Sequence, residues 1–270
     1  MQVDDTLDLG KLASASEDIA REAGDILMHY YQHGAEVSTK SDDTPVTEAD
    51  KAADNFIATE LLQLSPSLPV LSEEQKPPDY KTRKTWQRYW LVDPMDGTKE
   101  FIQRSGEFSV NIALIENHKP VLGVVYAPAK NLLWLANRDS GATKVDQDNT
   151  RTAIQARALK SQAPTAILGH ASYAEDDQRI LDRMNAVECL RMGSSMKICT
   201  IAEGKADIYP RLGKTSEWDT AAAQCILEQA GGKVTDVNMN VLEYNRKDSL
   251  LNPEFFAFGN SEHDWSQYLT

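Results

Sequence analysis

A layered α/β fold is predicted by three features of the chain: two long amphipathic helices at its start, a series of short β-rich runs after them, and a second half in which strand-like and helix-like stretches alternate. Leu12, Ile19, Ala23, Ile26, Leu27 and Tyr30 recur at helical spacing, and Ala49, Ala52, Ala53, Phe56, Ile57, Leu61 and Leu64 do the same. Thr47 and Asp50 have the spacing of a capping box, which opens the second helix at Glu48. The run Leu68-Pro-Val-Leu-Ser72 reads as extended, and strands are expected over residues 89–92, 110–115, 121–126 and 132–135. The polar Glu116-Asn-His-Lys119 between two of them reads as a hairpin loop, and this half as a sheet with helices on one side. Residues 137–164 are polar and poor in large apolar side chains, with turn residues such as Asp139-Ser-Gly141, and are the expected connecting segment. It separates an N-terminal α+β unit, residues 1–136, from a C-terminal α/β unit, residues 165–270. In the second unit strands are expected over 166–168, 206–209 and 255–258, with helices near 176–184, over 195–203 and over 218–230. Gly204 and the pair Gly231-Gly232 stop the last two helices.

At 270 residues and 41% hydrophobic, the chain is long enough to bury a substantial core. Its net charge of −13 argues against a nucleic-acid polymer as partner, because phosphate backbones are bound by basic stripes. A small anionic substrate then needs local help from a metal or basic side chains. Cys189, Cys199 and Cys225 are an odd number without Cys-x-x-Cys spacing, which fits buried thiols in a reducing compartment. The acidic start, Met1-Gln-Val-Asp-Asp, is unlike a signal peptide, and no apolar run approaches the roughly 20 residues of a membrane span. A cytoplasmic location is expected, with a homodimer and peripheral contact at the inner membrane face left open.

The chemistry is concentrated at Trp90-Leu-Val-Asp93-Pro-Met95-Asp96-Gly97-Thr98, an apolar strand that ends in two carboxylates three residues apart, a glycine and a hydroxyl. Pro94 stiffens the turn, so that Asp93, Asp96 and the Met95 carbonyl can converge as hard oxygen ligands, which favour Mg²⁺, Mn²⁺ or Ca²⁺ over zinc. Gly97 lets backbone approach a bound group, and a helix opening at Thr98 would turn its free N–H groups towards an anion such as phosphate. The plain alternative is that Asp-Pro-x-Asp-Gly is a turn sequence. Glu73 and Glu74 follow the extended run twenty residues before Asp93, where the alternative is solvated surface. Asp219 opens the helix expected over 218–230, where it could simply cap free N–H groups, as Asp50 could for its own helix. Together, however, Asp50, Glu73, Asp93, Asp96 and Asp219 each sit at the end or start of a regular element, where side chains meet in α/β sites. Gathered without cations they would repel one another and protonate.

The strand motif, Trp218-Asp-Thr-Ala-Ala-Ala and Ser72-Glu73-Glu74 resemble the signatures of the inositol monophosphatase superfamily, Mg²⁺-dependent and lithium-sensitive phosphatases, over nearly the whole chain. In Asp96-Gly-Thr-Lys-Glu-Phe101 this chain carries Glu100 where inositol monophosphatases typically carry asparagine. With that variant, Lys40-Ser-Asp-Asp-Thr-Pro-Val-Thr-Glu-Ala-Asp50, Gly193-Ser-Ser-Met-Lys197 and Tyr209-Pro-Arg211, the chain resembles the bacterial 3′(2′),5′-bisphosphate nucleotidases of sulfate assimilation. The resemblance implies an αβαβα sugar-phosphatase sandwich that removes the 3′-phosphate of adenosine 3′,5′-bisphosphate, and of its 3′-phosphosulfate precursor. It implies that Glu73, Asp93, Asp96, Asp219 and the Met95 carbonyl bind two or three Mg²⁺ ions, with Glu73 also counted in the catalytic set. Gly97 and Thr98 would hold the scissile phosphate, and Thr98 with Asp50 would position and deprotonate the attacking water. Ser194, Lys197 and Arg211 match positions that grip the distal 5′-phosphate, against the alternatives of helix cap, solvated lysine and surface arginine. His170 is a candidate contact to base or ribose, as is Ser172, against solvated loop residues. An inositol or other sugar monophosphatase is the nearest rival, and an inactive Mg²⁺-binding scaffold the rival outside the enzymes.

Overall fold

The computed structural model describes residues 7–39, 45–159, 163–170, 174–185, 188–259 and 263–269. The chain runs α1 (Leu9–His33), β1 (Val37–Thr39), β2 (Pro45–Thr47), α2 (Glu48–Leu64), β3 (Val70–Ser72), α3 (Tyr80–Arg83), β4 (Arg88–Asp96), α4 (Thr98–Ile102), β5 (Ser109–Glu116), β6 (Lys119–Ala127), β7 (Leu132–Asn137), β8 (Gly141–Val145) and β9 (Arg151–Ala153). It continues β10 (Thr165–Leu168), α5 (Ala174–Met184), β11 (Glu188–Arg191), α6 (Met196–Ala202), β12 (Ile208–Arg211), a 3₁₀ turn (Glu217–Asp219), α7 (Ala221–Gln229), β13 (Lys233–Asp236), β14 (Phe255–Phe258) and a last 3₁₀ turn (Trp265–Tyr268). A seven-stranded sheet is ordered β3-β4-β5-β6-β7-β8-β9, antiparallel except for the β3–β4 pair. A five-stranded sheet is ordered β11-β10-β12-β14-β13, with parallel β11, β10 and β12 and antiparallel β14.

These elements stack as αβαβα. On β5, Val110, Ile112 and Leu114 face the layer of α1 and α2, while Ala113 and Ile115 face the opposite cluster, which holds Ala222 and Ile226 of α7. The period of two is therefore apolar on both faces, as a sheet covered on both sides requires. The expectation of helices on one side holds for the N-terminal half alone, because α7 from the second half closes the other face. Gly123 is what lets α7 approach β6, since a Cβ there would collide with the Ala222 carbonyl oxygen. The far face of the five-stranded sheet buries Leu168, Ile208 and Phe256 against Ile180 and Leu181 of α5 and against Trp265.

Two further expectations are corrected. Residues 141–145 and 151–153, placed in a connecting segment, are the strands β8 and β9 of the first sheet; Ala142 and Val145, three residues apart, are the only buried side chains of the two, too few to mark a strand against the surrounding turns. The strand β11, exposed at the sheet edge, carries no alternation at all. Cys189 lies on that edge and is exposed, whereas Cys199 and Cys225 are buried helical thiols as expected. No described helix is long and apolar enough to cross a membrane.

Candidate active site

The strand β4 runs past Pro94 to Asp96, and its register against β5 shifts between Asp93, opposite Asn111, and Asp96, opposite Ser109. Three steps on one strand thus face two on the other, a bulge, which is where a strand tolerates a proline without an N–H and where side chains are re-aimed. Asp93 Oδ1 accepts the Met95 N–H at 3.0 Å, closing the bulge on itself. On the parallel neighbour, Ser72 pairs with Val92 and the Glu73 N–H donates to the Val92 carbonyl at 3.2 Å, so Glu73 arrives beside Asp93. Asp219 comes from the opposite direction, out of the 3₁₀ turn, where its Oδ2 accepts the Ser216 N–H at 2.9 Å. The expected helix over 218–230 therefore begins only at Ala221, and Asp219 caps the turn before it.

Glu73, Asp93 and Asp219 each present an oxygen within 4.8 Å of the others, a ligand set for a hard cation. Burial pushes the Asp93 carboxyl well above the carboxylate range, and the charges of Glu73, Asp96 and Asp219 push it further. Burial and the charges of Asp96 and Glu73 do the same to Asp219. Such crowding is costly for protein alone and is relieved by divalent charge, so the donor set fits Mg²⁺. Asp96 stands beside this triad: its Oδ2 lies 2.7 Å from Ser195 Oγ and 3.5 Å from Asn111 Nδ2. Ser195 Oγ is also 2.6 Å from the Asp219 carbonyl and accepts from Asn111 Nδ2 at 2.9 Å, so one hydroxyl ties Asp96 and Asn111 to the turn.

Asp50 closes the capping box and also reaches Thr98. One oxygen closes the capping box, accepting the Thr47 N–H at 2.7 Å and the Thr47 hydroxyl at 2.6 Å. The other accepts from Thr98 Oγ1 at 3.2 Å, and that hydroxyl is 3.4 Å from the Met95 carbonyl. Burial raises the Asp50 carboxyl above its ordinary value, with Thr47 and Thr98 opposing. Gly97 has φ 98°, in the left-handed region, and a Cβ there would meet the Glu107 carbonyl oxygen at 2.9 Å, so the turn into α4 requires glycine.

A cavity of about 230 Å³ extends from Asp96, Gly97 and Asp219 to Ser194, Lys197 and Arg211. Lys197 is buried, lies 5.3 Å over the Tyr209 ring and donates to the Ser194 carbonyl at 2.6 Å. Burial pulls its ammonium below the usual lysine value, Asp96 opposing and Arg211 reinforcing. Ser194 takes a positive φ of 51° to turn its carbonyl to that lysine. Arg211 spends one N–H on the Lys214 carbonyl at 3.1 Å, and its buried Nε has no hydrogen-bond partner among the described residues. Glu100, where the sequence departs from the inositol pattern, lines the same cavity.

His170 is at the cavity rim, its Nε2 2.5 Å from Glu107 Oε2, which also accepts the Gly193 N–H at 2.8 Å. Ser172 and residues 40–44 lie outside the described residues. Sequence reasoning missed Ser195, Asn111 and Glu107. Ser195 adjoins the chosen Ser194 and could have been found in the same motif, whereas Asn111 and Glu107 declare themselves only through partners distant in sequence.

An acidic triad at a bulged strand and a cavity that runs from its Asp219 to Lys197 and Arg211 bring donors for a cation close to donors for an anion. The chain belongs to the inositol monophosphatase family, whose profile matches residues 8–263. It is 45% identical over 239 residues to the 3′(2′),5′-bisphosphate nucleotidase CysQ of Salmonella typhimurium, covering 88% of this chain and 95% of that one. It is 38% identical to the nucleotidase of the same name from Haemophilus influenzae, covering 92% of each. Among solved structures, CysQ from Bacteroides thetaiotaomicron superposes with a TM-score of 0.80 at 37% identity, covering 93% of this chain and 98% of that one. An inositol monophosphatase from Anabaena superposes with a TM-score of 0.74 at 25% identity, covering 97% and 95%.

Proposed function

We propose that this chain is a Mg²⁺-dependent phosphatase that removes the 3′-phosphate of adenosine 3′,5′-bisphosphate, and of its 5′-phosphosulfate counterpart, in sulfur metabolism in the cytoplasm. The observation that carries the reading is one cavity lined both by Lys197 with Arg211 and by Asp96 with Asp219, the last of which belongs to the acidic triad. The likeness to CysQ proteins supports the same choice of substrate. Glu73, Asp93, Asp219, Asp96 and the Met95 carbonyl would hold two or three Mg²⁺ ions, which supply Lewis acidity and a nucleophile at neutral pH when bound. Lithium inhibition is part of the same proposal.

Thr98 Oγ1, fixed between Asp50 Oδ1 and the Met95 carbonyl, orients the attacking water and hands its proton to Asp50. Attack breaks the bond between phosphorus and the 3′-oxygen, which leaves with the bonding electron pair and takes a proton from solvent to become a hydroxyl, so no covalent intermediate forms on the protein. Gly97 brings backbone up to the reacting phosphate in a turn that a Cβ would push against the Glu107 backbone. Lys197 and Arg211 bind the 5′-phosphate that does not react, Arg211 through its unused N–H groups. The complete carboxylate set speaks against an inactive scaffold.

Phosphate release measured in parallel with adenosine 3′,5′-bisphosphate and inositol 1-phosphate tests the reading. The bisphosphate is expected to win in kcat/KM by about 10- to 150-fold, the worth of the charge-assisted bonds to its second phosphate. Equal or reversed preference would move the assignment to a sugar monophosphatase, and no release from either to a scaffold.

A further inference from the structure

We propose that Glu217, held by Asn245 and Arg83, is a positioning residue that aims Asp219 at the metal site; the inference rests on the metal reading above. Glu217 opens the 3₁₀ turn that ends in Asp219, yet its own side chain points away from the acidic triad into a buried polar knot. There its Oε2 accepts the Asn245 N–H at 2.8 Å. Asn245 can aim that N–H because it sits at φ 56°, a left-handed conformation that asparagine tolerates better than most residues. Its amide is committed in both directions to one partner: Oδ1 accepts from Arg83 Nη1 at 2.5 Å and Nδ2 donates to the Arg83 carbonyl at 2.6 Å.

Arg83 is 2% exposed and also donates to the Lys247 carbonyl at 3.2 Å and to the Asp248 carbonyl, so its planar fork gathers the loop that carries Asn245. It stands five residues before β4, the strand that supplies Asp93 and Asp96. The far side of the turn is pinned independently: Asn252 Nδ2 donates to the Ser216 carbonyl at 2.6 Å, and the Glu217 N–H to the Leu250 carbonyl at 2.8 Å. The chain of contacts Arg83, Asn245, Glu217 thus sets the distance between ligands on β4 and the ligand on the turn. Partners that orient ligands in this way are worth about 10- to 100-fold in metal affinity.

The test is a calorimetric Mg²⁺ titration of the substrate-free protein, with KM for the bisphosphate at saturating Mg²⁺ alongside. Glu217→Ala is expected to weaken Mg²⁺ binding by about 10- to 100-fold with KM unchanged, and Glu217→Gln, whose amide oxygen still accepts from Asn245, to restore most of the affinity. Unchanged Mg²⁺ affinity in Glu217→Ala, while Asp219→Asn weakens it, overturns the positioning role. Glu217→Gln as weak as Glu217→Ala also overturns it, since charge and not the bond would then matter. If Glu217→Ala does not fold, Arg83→Lys, which keeps the charge and loses the fork, is expected to weaken Mg²⁺ binding, and an unchanged titration overturns the role. Unaltered binding in Asp219→Asn would instead remove the metal reading beneath it.

Discussion

Asp93→Asn is expected to lower the phosphatase rate by about 1,000-fold or more, some 4 kcal/mol of transition-state stabilisation, in a protein that still folds. The amide oxygen of asparagine can go on accepting the Met95 N–H, so the bulge survives, but a neutral ligand cannot balance divalent charge. The same change is expected to stabilise the metal-free protein at neutral pH. In the fold Asp93 and Asp219 titrate well above 3.8, whereas in the unfolded chain they ionise near that value. Their contribution to stability is therefore full below the unfolded value and is lost as pH rises through the folded values. Thermal stability of the metal-free wild type should fall as pH rises above about 4, less so in Asp93→Asn, with Mg²⁺ restoring the wild type alone. Identical pH slopes and rates in the two proteins would count against a metal role for Asp93.

Arg211→Ala should depress kcat/KM for adenosine 3′,5′-bisphosphate by about 10- to 150-fold, from charge-assisted hydrogen bonding worth roughly 1.5 to 3 kcal/mol in all. Hydrolysis of 3′-AMP, which has no 5′-phosphate, should be nearly unchanged. The expectation rests on the arginine's free valence: one N–H goes to the Lys214 carbonyl, and the buried Nε is unsatisfied among the described residues. Lys197→Ala should behave differently, because Lys197 is buried and holds the Ser194 carbonyl. Its loss should open a cavity, loosen the Ser194 turn and reduce turnover of both substrates. Equal losses on both substrates for Arg211→Ala would make it a folding residue or a ligand of the reacting phosphate, and no loss would make it surface charge.

The acids of the site were legible because they stand at the ends of elements whose period is unmistakable: Trp90 and Val92 alternate with Leu91 into Asp93, and Ala49, Ala53 and Ile57 repeat behind Asp50. What brings these ends together was not legible. The bulge at Pro94 reads as a turn until β5 is seen opposite it. The 3₁₀ turn before α7 reads as the helix's first turn, since a capping box looks alike in both. Ser195, Asn111 and Arg83 are defined by partners 84, 84 and 162 positions away, which no local pattern encodes. Short strands such as β9, exposed along its length, and β11, where Leu190 alone is partly buried, lack the alternation that marks a strand.

The central claim is that one cavity holds divalent ions at its acidic wall and the unreacting phosphate at its basic wall. It is tested most directly by a crystal structure with Mn²⁺ and adenosine 3′,5′-bisphosphate, in which anomalous scattering locates the metal. Mn²⁺ is expected among Glu73, Asp93 and Asp219, the 3′-phosphate over Gly97 and Thr98, and the 5′-phosphate on Arg211 and Lys197. Metal absent from the triad, or the 3′-phosphate seated on Arg211 with the 5′-phosphate over the metal, would contradict it.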